Sequence, residues 1–242
     1  MVTIPLQALD TWSPQARECA RCTVRESALF GALDEDDLRL VHGDITSLRF
    51  APGERIYARG EPVPGVFTVR EGLVRFEQVT AGGDRRILRL AGPGDLIGQE
   101  ALLQRPCAEE AVACTEVRLC RIPRPLIERL TGARPALWHE LMARWQRALE
   151  QAEAWVADLT TGAARRRVLK LLEMLAERAD ADGRIWMPRR PEMGAMLDMT
   201  VETASRIVSR LGREGVIALL PPRHARLDAG ALARALAIEE AG

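Results

Sequence analysis

The sequence predicts an α+β chain: a turn-rich β domain, then one long helix, then a small C-terminal helical module. Three observations predict it. Residues 46–122 alternate apolar and polar positions in short runs broken by Gly- and Pro-containing turns. Residues 134–161 place apolar side chains three and four apart, with neither Gly nor Pro between Pro135 and Gly162. Residues 191–212 read as a short helix, a tight turn and a second amphipathic helix.

The 242 residues suit two domains better than one. Apolar residues make up 47% and charged residues 28%, which excludes a disordered tail protein. No apolar run approaches the roughly 20 residues of a membrane-spanning helix. Met1–Asp10 lacks the basic start and long apolar stretch of a signal peptide, so a cytoplasmic chain without membrane contact is expected. With 34 Lys and Arg against 34 Asp and Glu, the net charge is zero, which excludes only a uniformly basic nucleic-acid coat. Lys170 is the one lysine. That bias fits a GC-rich genome as well as a use of Arg in recognising bases and phosphates.

The N-terminal stretch carries Cys19-x-x-Cys22 and then a helical pattern over Asp34–Val41, with its acidic residues at the start, where a helix dipole favours them. Cysteines stand at 19, 22, 107, 114 and 120. An odd number without a secretion signal argues against a disulfide scaffold. The Cys19–Cys22 spacing suits a metal clip or a redox pair. Thr23 follows instead of His, which excludes covalent haem attachment.

Strand alternation is read over Phe50–Tyr57, Gly65–Val69, Gly72–Phe76, Arg86–Leu90 and Val117–Ile122. Turns at Pro52-Gly53, Pro64-Gly65, Glu71-Gly72, Gly82-Gly83-Asp84 and Pro93-Gly94-Asp95 separate them. This regular spacing predicts a sandwich or barrel rather than a parallel βαβ sheet.

The long helix carries two overlapping heptad stripes. One is Trp138, Met142, Trp145, Leu149, Ala152, Val156 and Leu159; the other is Trp138, Leu141, Trp145, Ala148, Ala152, Trp155 and Leu159. A helix lying only on its own domain needs one stripe. A helix that also packs on a partner copy needs both, so a homodimer is expected through the first stripe. The expected domains are 1–133, 134–161 and 162–242.

Residues 163–226 hold 13 Arg and Lys against 8 Asp and Glu, and residues 1–162 hold 20 against 23. Such asymmetry is expected of a chain with one nucleic-acid module. Within it, Met193, Met196 and Leu197 form the apolar side of a short helix, Asp198-Met199 the turn, and Thr200 an N-cap. In the second helix Ala204, Ile207, Val208 and Leu211 form the inward face. Val201, Glu202, Ser205, Arg206 and Ser209 are the candidate DNA-binding residues. Arg bonds guanine O6 and N7, Glu accepts from cytosine, and Ser serves either strand. Gly215–Leu227 alternates apolar and basic residues around Pro221-Pro222, as a two-stranded wing near phosphates would.

The order of these parts, with Pro52-Gly53-Glu54, Gly72-Leu73-Val74-Arg75, Gly94-Asp95-Leu96-Ile97-Gly98 and Thr200-Val-Glu-Thr-Ala-Ser-Arg206, resembles the Crp/Fnr family of bacterial transcription regulators over nearly the whole chain. Glu202-x-x-Ser205-Arg206 resembles the recognition signature of the Fnr branch. The resemblance implies a cyclic-nucleotide-binding-like β-roll (a double-stranded jelly-roll), a dimerisation helix and a winged helix-turn-helix. It implies a TTGAT-like palindrome, with Glu202 and Arg206 on the G·C pair and Ser205 and Val201 on the neighbouring thymines. RNA polymerase is the implied further partner.

Two sensing modes of the family can be weighed. Cyclic AMP is argued against, because Gly98-Gln99 and Cys107-Ala-Glu-Glu110 stand where cyclic-nucleotide members carry Gly-Glu and Arg-Ser. The oxygen-sensing members resemble this chain at Cys19, Cys22 and Cys120, which become candidate iron–sulfur ligands; the third N-terminal cysteine is missing, with Ala28 or Phe30 in its place. A thiol or disulfide switch, zinc or haem, and cysteines with no cofactor remain alternatives. So does a β-roll that responds to a small molecule, haem or nitric oxide without cysteines. An enzyme is not expected. His42, His139 and His224 are scattered, and no nucleophile motif or phosphate-binding Gly loop occurs.

Overall fold

The computed structural model describes Cys22, Val24 and residues 43–240. Cys19 and the helical pattern expected over Asp34–Val41 lie outside the described residues. The chain separates into two compact units, Met1–Phe76 with Leu90–Ala148 and Glu77–Arg89 with Leu149–Gly242.

The β region runs β1 (Thr46–Phe50), β2 (Arg55–Tyr57), β3 (Gly65–Glu71), β4 (Val74–Val79), β5 (Arg85–Ala91), β6 (Leu96–Ile97), a 3-10 turn over Gln99–Leu103, β7 (Glu110–Ala113) and β8 (Val117–Pro123). Two helices follow, α1 (Arg124–Ala133) and α2 (Ala136–Leu159). The strands form two four-stranded sheets, ordered β1-β8-β3-β6 and β2-β7-β4-β5. Period-two alternation explains how one strand serves two cores. From β3, Phe67 and Val69 join Val74, Phe76 and Leu119 in the core shared by both sheets. Val66 points the other way, to Ile122, Leu126, Ile127, Leu137 and Leu141 under α1 and the start of α2. The turn into β4 requires a glycine: Gly72 has φ +85°, and a Cβ there would lie 2.1 Å from the Glu116 carbonyl oxygen.

The alternation over Phe50–Tyr57 is not one strand. The Glu54 carboxylate accepts the Ala51 N–H at 2.8 Å and closes a turn, so β1 and β2 enter different sheets. β6 and β7 escaped the sequence reading because they are two and four residues long.

The second unit contains α3 (Ala164–Ala176), β9 (Arg184–Trp186), α4 (Arg190–Leu197), α5 (Val201–Arg213), β10 (Ile217–Leu220), β11 (His224–Leu227) and α6 (Ala229–Glu240). Leu169 and Leu172 of α3 are buried, as are Met193 and Leu197 of α4 and Val208 and Leu211 of α5. The wing is a three-stranded sheet, β10-β11-β9, one strand more than the sequence indicated.

The two stripes of α2 have different environments. Leu141 is buried in the first unit, and Trp155 and Leu159 are buried in the second. Trp138, Met142, Trp145, Leu149 and Val156 are exposed at 50, 47, 38, 52 and 60%, and Ala152 is half-buried. Leu159, expected on the dimer stripe, therefore belongs to the core, where it is 0% exposed. A heptad pattern reports an apolar face but not which neighbour covers it. No described helix is long and apolar enough to cross a membrane.

Candidate nucleic-acid interface

The geometry of the helix pair starts with its caps. Pro191 sits in the first turn of α4, where its missing N–H costs nothing. The Glu192 carboxylate accepts the Arg189 N–H at 2.6 Å, as in a capping box. The helix ends at Asp198, in the left-handed region with φ 50°. Gly194 lets the chain turn tightly there, since a Cβ on it would lie 2.7 Å from the Met199 carbonyl oxygen. Thr200 then caps α5, its hydroxyl accepting the Thr203 N–H at 3.2 Å.

In α5 the inward face is Ala204, Val208 and Leu211. Ile207 is only half-buried, at the border of the two faces. Val201, Glu202, Ser205, Arg206 and Ser209 are all exposed and share one side of the helix. They line a hollow of about 960 Å³ together with Thr203, Ile207, Arg210, Arg213 and the start of α3 at Ala164 and Arg165. The five sequence-predicted residues are thus brought together. Arg210 and Arg213 were missed, although they continue the line of Arg206 at i+4 and i+7; Arg165 is far away in sequence and gave no signal.

Charge on this surface is organised by carboxylates. Glu202 is held below the usual carboxylate range by its own backbone N–H and by the Thr200 hydroxyl, so it is an ionised acceptor. Glu214 accepts from Arg165 at 2.8 Å and from Arg210 at 2.8 Å, and these bonds hold its pKa down as well. Arg165 also reaches Glu239 of α6 at 2.7 Å. An ionised acceptor beside fixed guanidinium groups on an exposed helix can read base edges and hold phosphates.

The cysteines fall into two groups. Cys107 and Cys114 are each 2% exposed. Burial, with Glu100, Glu61 and Glu109 nearby, pushes the Cys107 thiol up to about 12. Those carboxylates gather negative charge around Cys107. Cys22 and Cys120 are half-buried. Cys120 lies inside β8, opposite Ser47 of β1 and Thr68 of β3. Among the described residues no three His, Cys, Asp or Glu side chains are grouped as a metal site. Of the three expected iron–sulfur ligands, Cys22 and Cys120 are among the described residues and Cys19 is not.

A winged helix-turn-helix with this exposed polar face, on a chain that also carries a two-sheet β domain, is the architecture of a DNA-binding regulator. Comparison with known proteins agrees. Residues 47–133 match the cyclic nucleotide-binding domain model, and residues 166–235 match the Crp-like helix-turn-helix domain model. The transcriptional activator FnrL of Cereibacter sphaeroides is 28% identical over 215 residues, covering 85% of this chain and 86% of that protein. The structure of FixK2 from Bradyrhizobium japonicum matches with a TM-score of 0.70 and 26% identity, over 78% of this chain and 96% of that one. A CRP-family transcriptional regulator from Thermus thermophilus, TTHB099, matches with a TM-score of 0.66 and 30% identity over the same shares. The chain belongs to the Crp/Fnr family of transcription regulators, and it is not an enzyme.

Proposed function

We propose that the chain is a dimeric regulator that reads a TTGAT-like palindrome through Val201, Glu202, Ser205, Arg206 and Ser209, one α5 per half-site. The observation that carries this reading is the gathering of all five on one exposed helix face. Residues 1–133 serve as the sensor, 134–161 as the dimer helix and 162–242 as the DNA-binding domain of a cytoplasmic protein that works with RNA polymerase. The exposed apolar line on α2 supports dimerisation, since burying a Leu or Met side chain contributes on the order of 1.5–3 kcal/mol.

The signal is oxygen or redox state, received by Cys19, Cys22 and Cys120. Support comes from the contrast between half-buried Cys22 and Cys120 and the buried, strongly protonated Cys107. Those three thiols would hold an iron–sulfur cluster, which would supply oxygen sensitivity. A second reading has a small molecule in the β domain as the signal. It is favoured by the buried polar side chains of the first unit, Thr68, Arg75, Gln99 and Arg144. Carboxylates around Cys107 make cyclic AMP a poor candidate for it.

A gel shift with a TTGAT–ATCAA duplex and its scrambled form tests the DNA reading. Binding lost on scrambling supports it, and equal binding refutes it. Iron and sulfide content of anaerobically purified protein tests the signal.

A further inference from the structure

The wing is tied to the first helix of the helix-turn-helix by a buried cluster. Glu192, 6% exposed, accepts the Arg189 N–H at the start of α4 and forms an ion pair with Arg223, the residue that follows Pro221-Pro222 at the tip of the wing. The Arg223 guanidinium also lies over the indole of Trp186, 5.0 Å from its centroid. Its carbonyl oxygen accepts the Met187 N–H at 2.8 Å, just beyond β9. One arginine thus meets α4, β9 and the wing turn. Its side chain is 19% exposed, so it is poorly placed to meet DNA itself.

Arg226 is three residues further on, in β11, past the fully buried Ala225, and is exposed. Its register neighbours are Ala218 and Arg184. Arg184 is engaged by Asp180 and Asp182, whereas Arg226 has no carboxylate partner among the described residues.

We infer that Glu192, Arg223 and Trp186 are positioning residues that fix the wing on α4 so that Arg226 meets a DNA phosphate. The inference rests on DNA binding by this module but not on the TTGAT reading. The rigid planar guanidinium is what the cluster requires. Lysine would keep the charge and the pairing with Glu192 but not the flat face on Trp186.

The test uses the full chain and fluorescent duplexes, palindromic and scrambled, titrated over a series of KCl concentrations with wild type, Arg223→Lys, Arg226→Gln and the double variant. Arg226→Gln is expected to weaken both duplexes alike and to lower the salt slope by about one per bound wing, as for a lost phosphate contact. Arg223→Lys is expected to weaken both duplexes in the same direction, with discrimination between them unchanged. The double variant is expected to bind no worse than Arg226→Gln, because both changes act through one contact. Arg223→Lys matching wild type would overturn the inference, as would losses that multiply in the double variant or a loss confined to the palindrome. If Arg223→Lys fails to fold, Glu192→Gln, which keeps an oxygen acceptor, is read by the same criteria. A wild type that binds both duplexes equally refutes the palindrome alone, and one that binds neither refutes both.

Discussion

Arg167 of α3 donates from Nη1 to the Leu197 carbonyl oxygen at 2.7 Å, at the C-terminal end of α4. Carbonyls at that end have no partner within their own helix, and the helix dipole makes them attractive to a cation. The bond spans 30 residues and sets α4 on the scaffold that carries α5. Hydrogen bonds to charged groups contribute roughly 1.5–3 kcal/mol.

Arg167→Ala is therefore expected to cost about 1–3 kcal/mol of stability in urea unfolding followed by circular dichroism. DNA affinity should fall on specific and scrambled duplexes together. A drop confined to the specific duplex, with unchanged stability, would make Arg167 a base contact instead.

Cys107 predicts a pH dependence. The fold raises its pKa to about 12, so the folded state keeps the thiol neutral while an unfolded chain releases the proton near the ordinary value. Its contribution is present in full below about pH 8.5 and is lost as pH rises through the folded value. Stability of the wild type is expected to fall more steeply over that alkaline range than that of Cys107→Ala. In native protein at neutral pH, alkylation should reach Cys22 and Cys120 before Cys107, as read by peptide mass spectrometry.

Assembly gives a third expectation. Leu149 lies at the centre of the exposed α2 line and is 52% exposed. Leu149→Asp should leave the fold intact and shift sedimentation at micromolar concentration from dimer to monomer. A wild type that sediments as a monomer would refute the dimer.

The recognition helix was legible in sequence because its signals are local. A Thr200 cap and apolar residues at Ala204, Val208 and Leu211 fix both the start of α5 and its inward face. The wing was half legible. Gly215–Leu227 contains β10 and β11, but β9 joins from Arg184–Trp186, and three residues give no periodicity. Nothing local in the sequence announces that Glu192 meets Arg223 31 positions later. The long helix was legible as a helix with a wide apolar face. The division of that face, with Leu141, Trp155 and Leu159 inward and Trp138, Met142 and Leu149 outward, depends on tertiary packing.

Arg206 tests the central claim most directly, because it is exposed on the recognition face and removing its side chain takes nothing from the core. The measurement is the affinity of Arg206→Ala, beside wild type, for the TTGAT palindrome and for its scrambled duplex at one salt concentration. A loss of about 1–3 kcal/mol on the palindrome with little change on the scrambled duplex is the predicted result. Equal losses on the two duplexes would contradict it and reduce Arg206 to a phosphate contact.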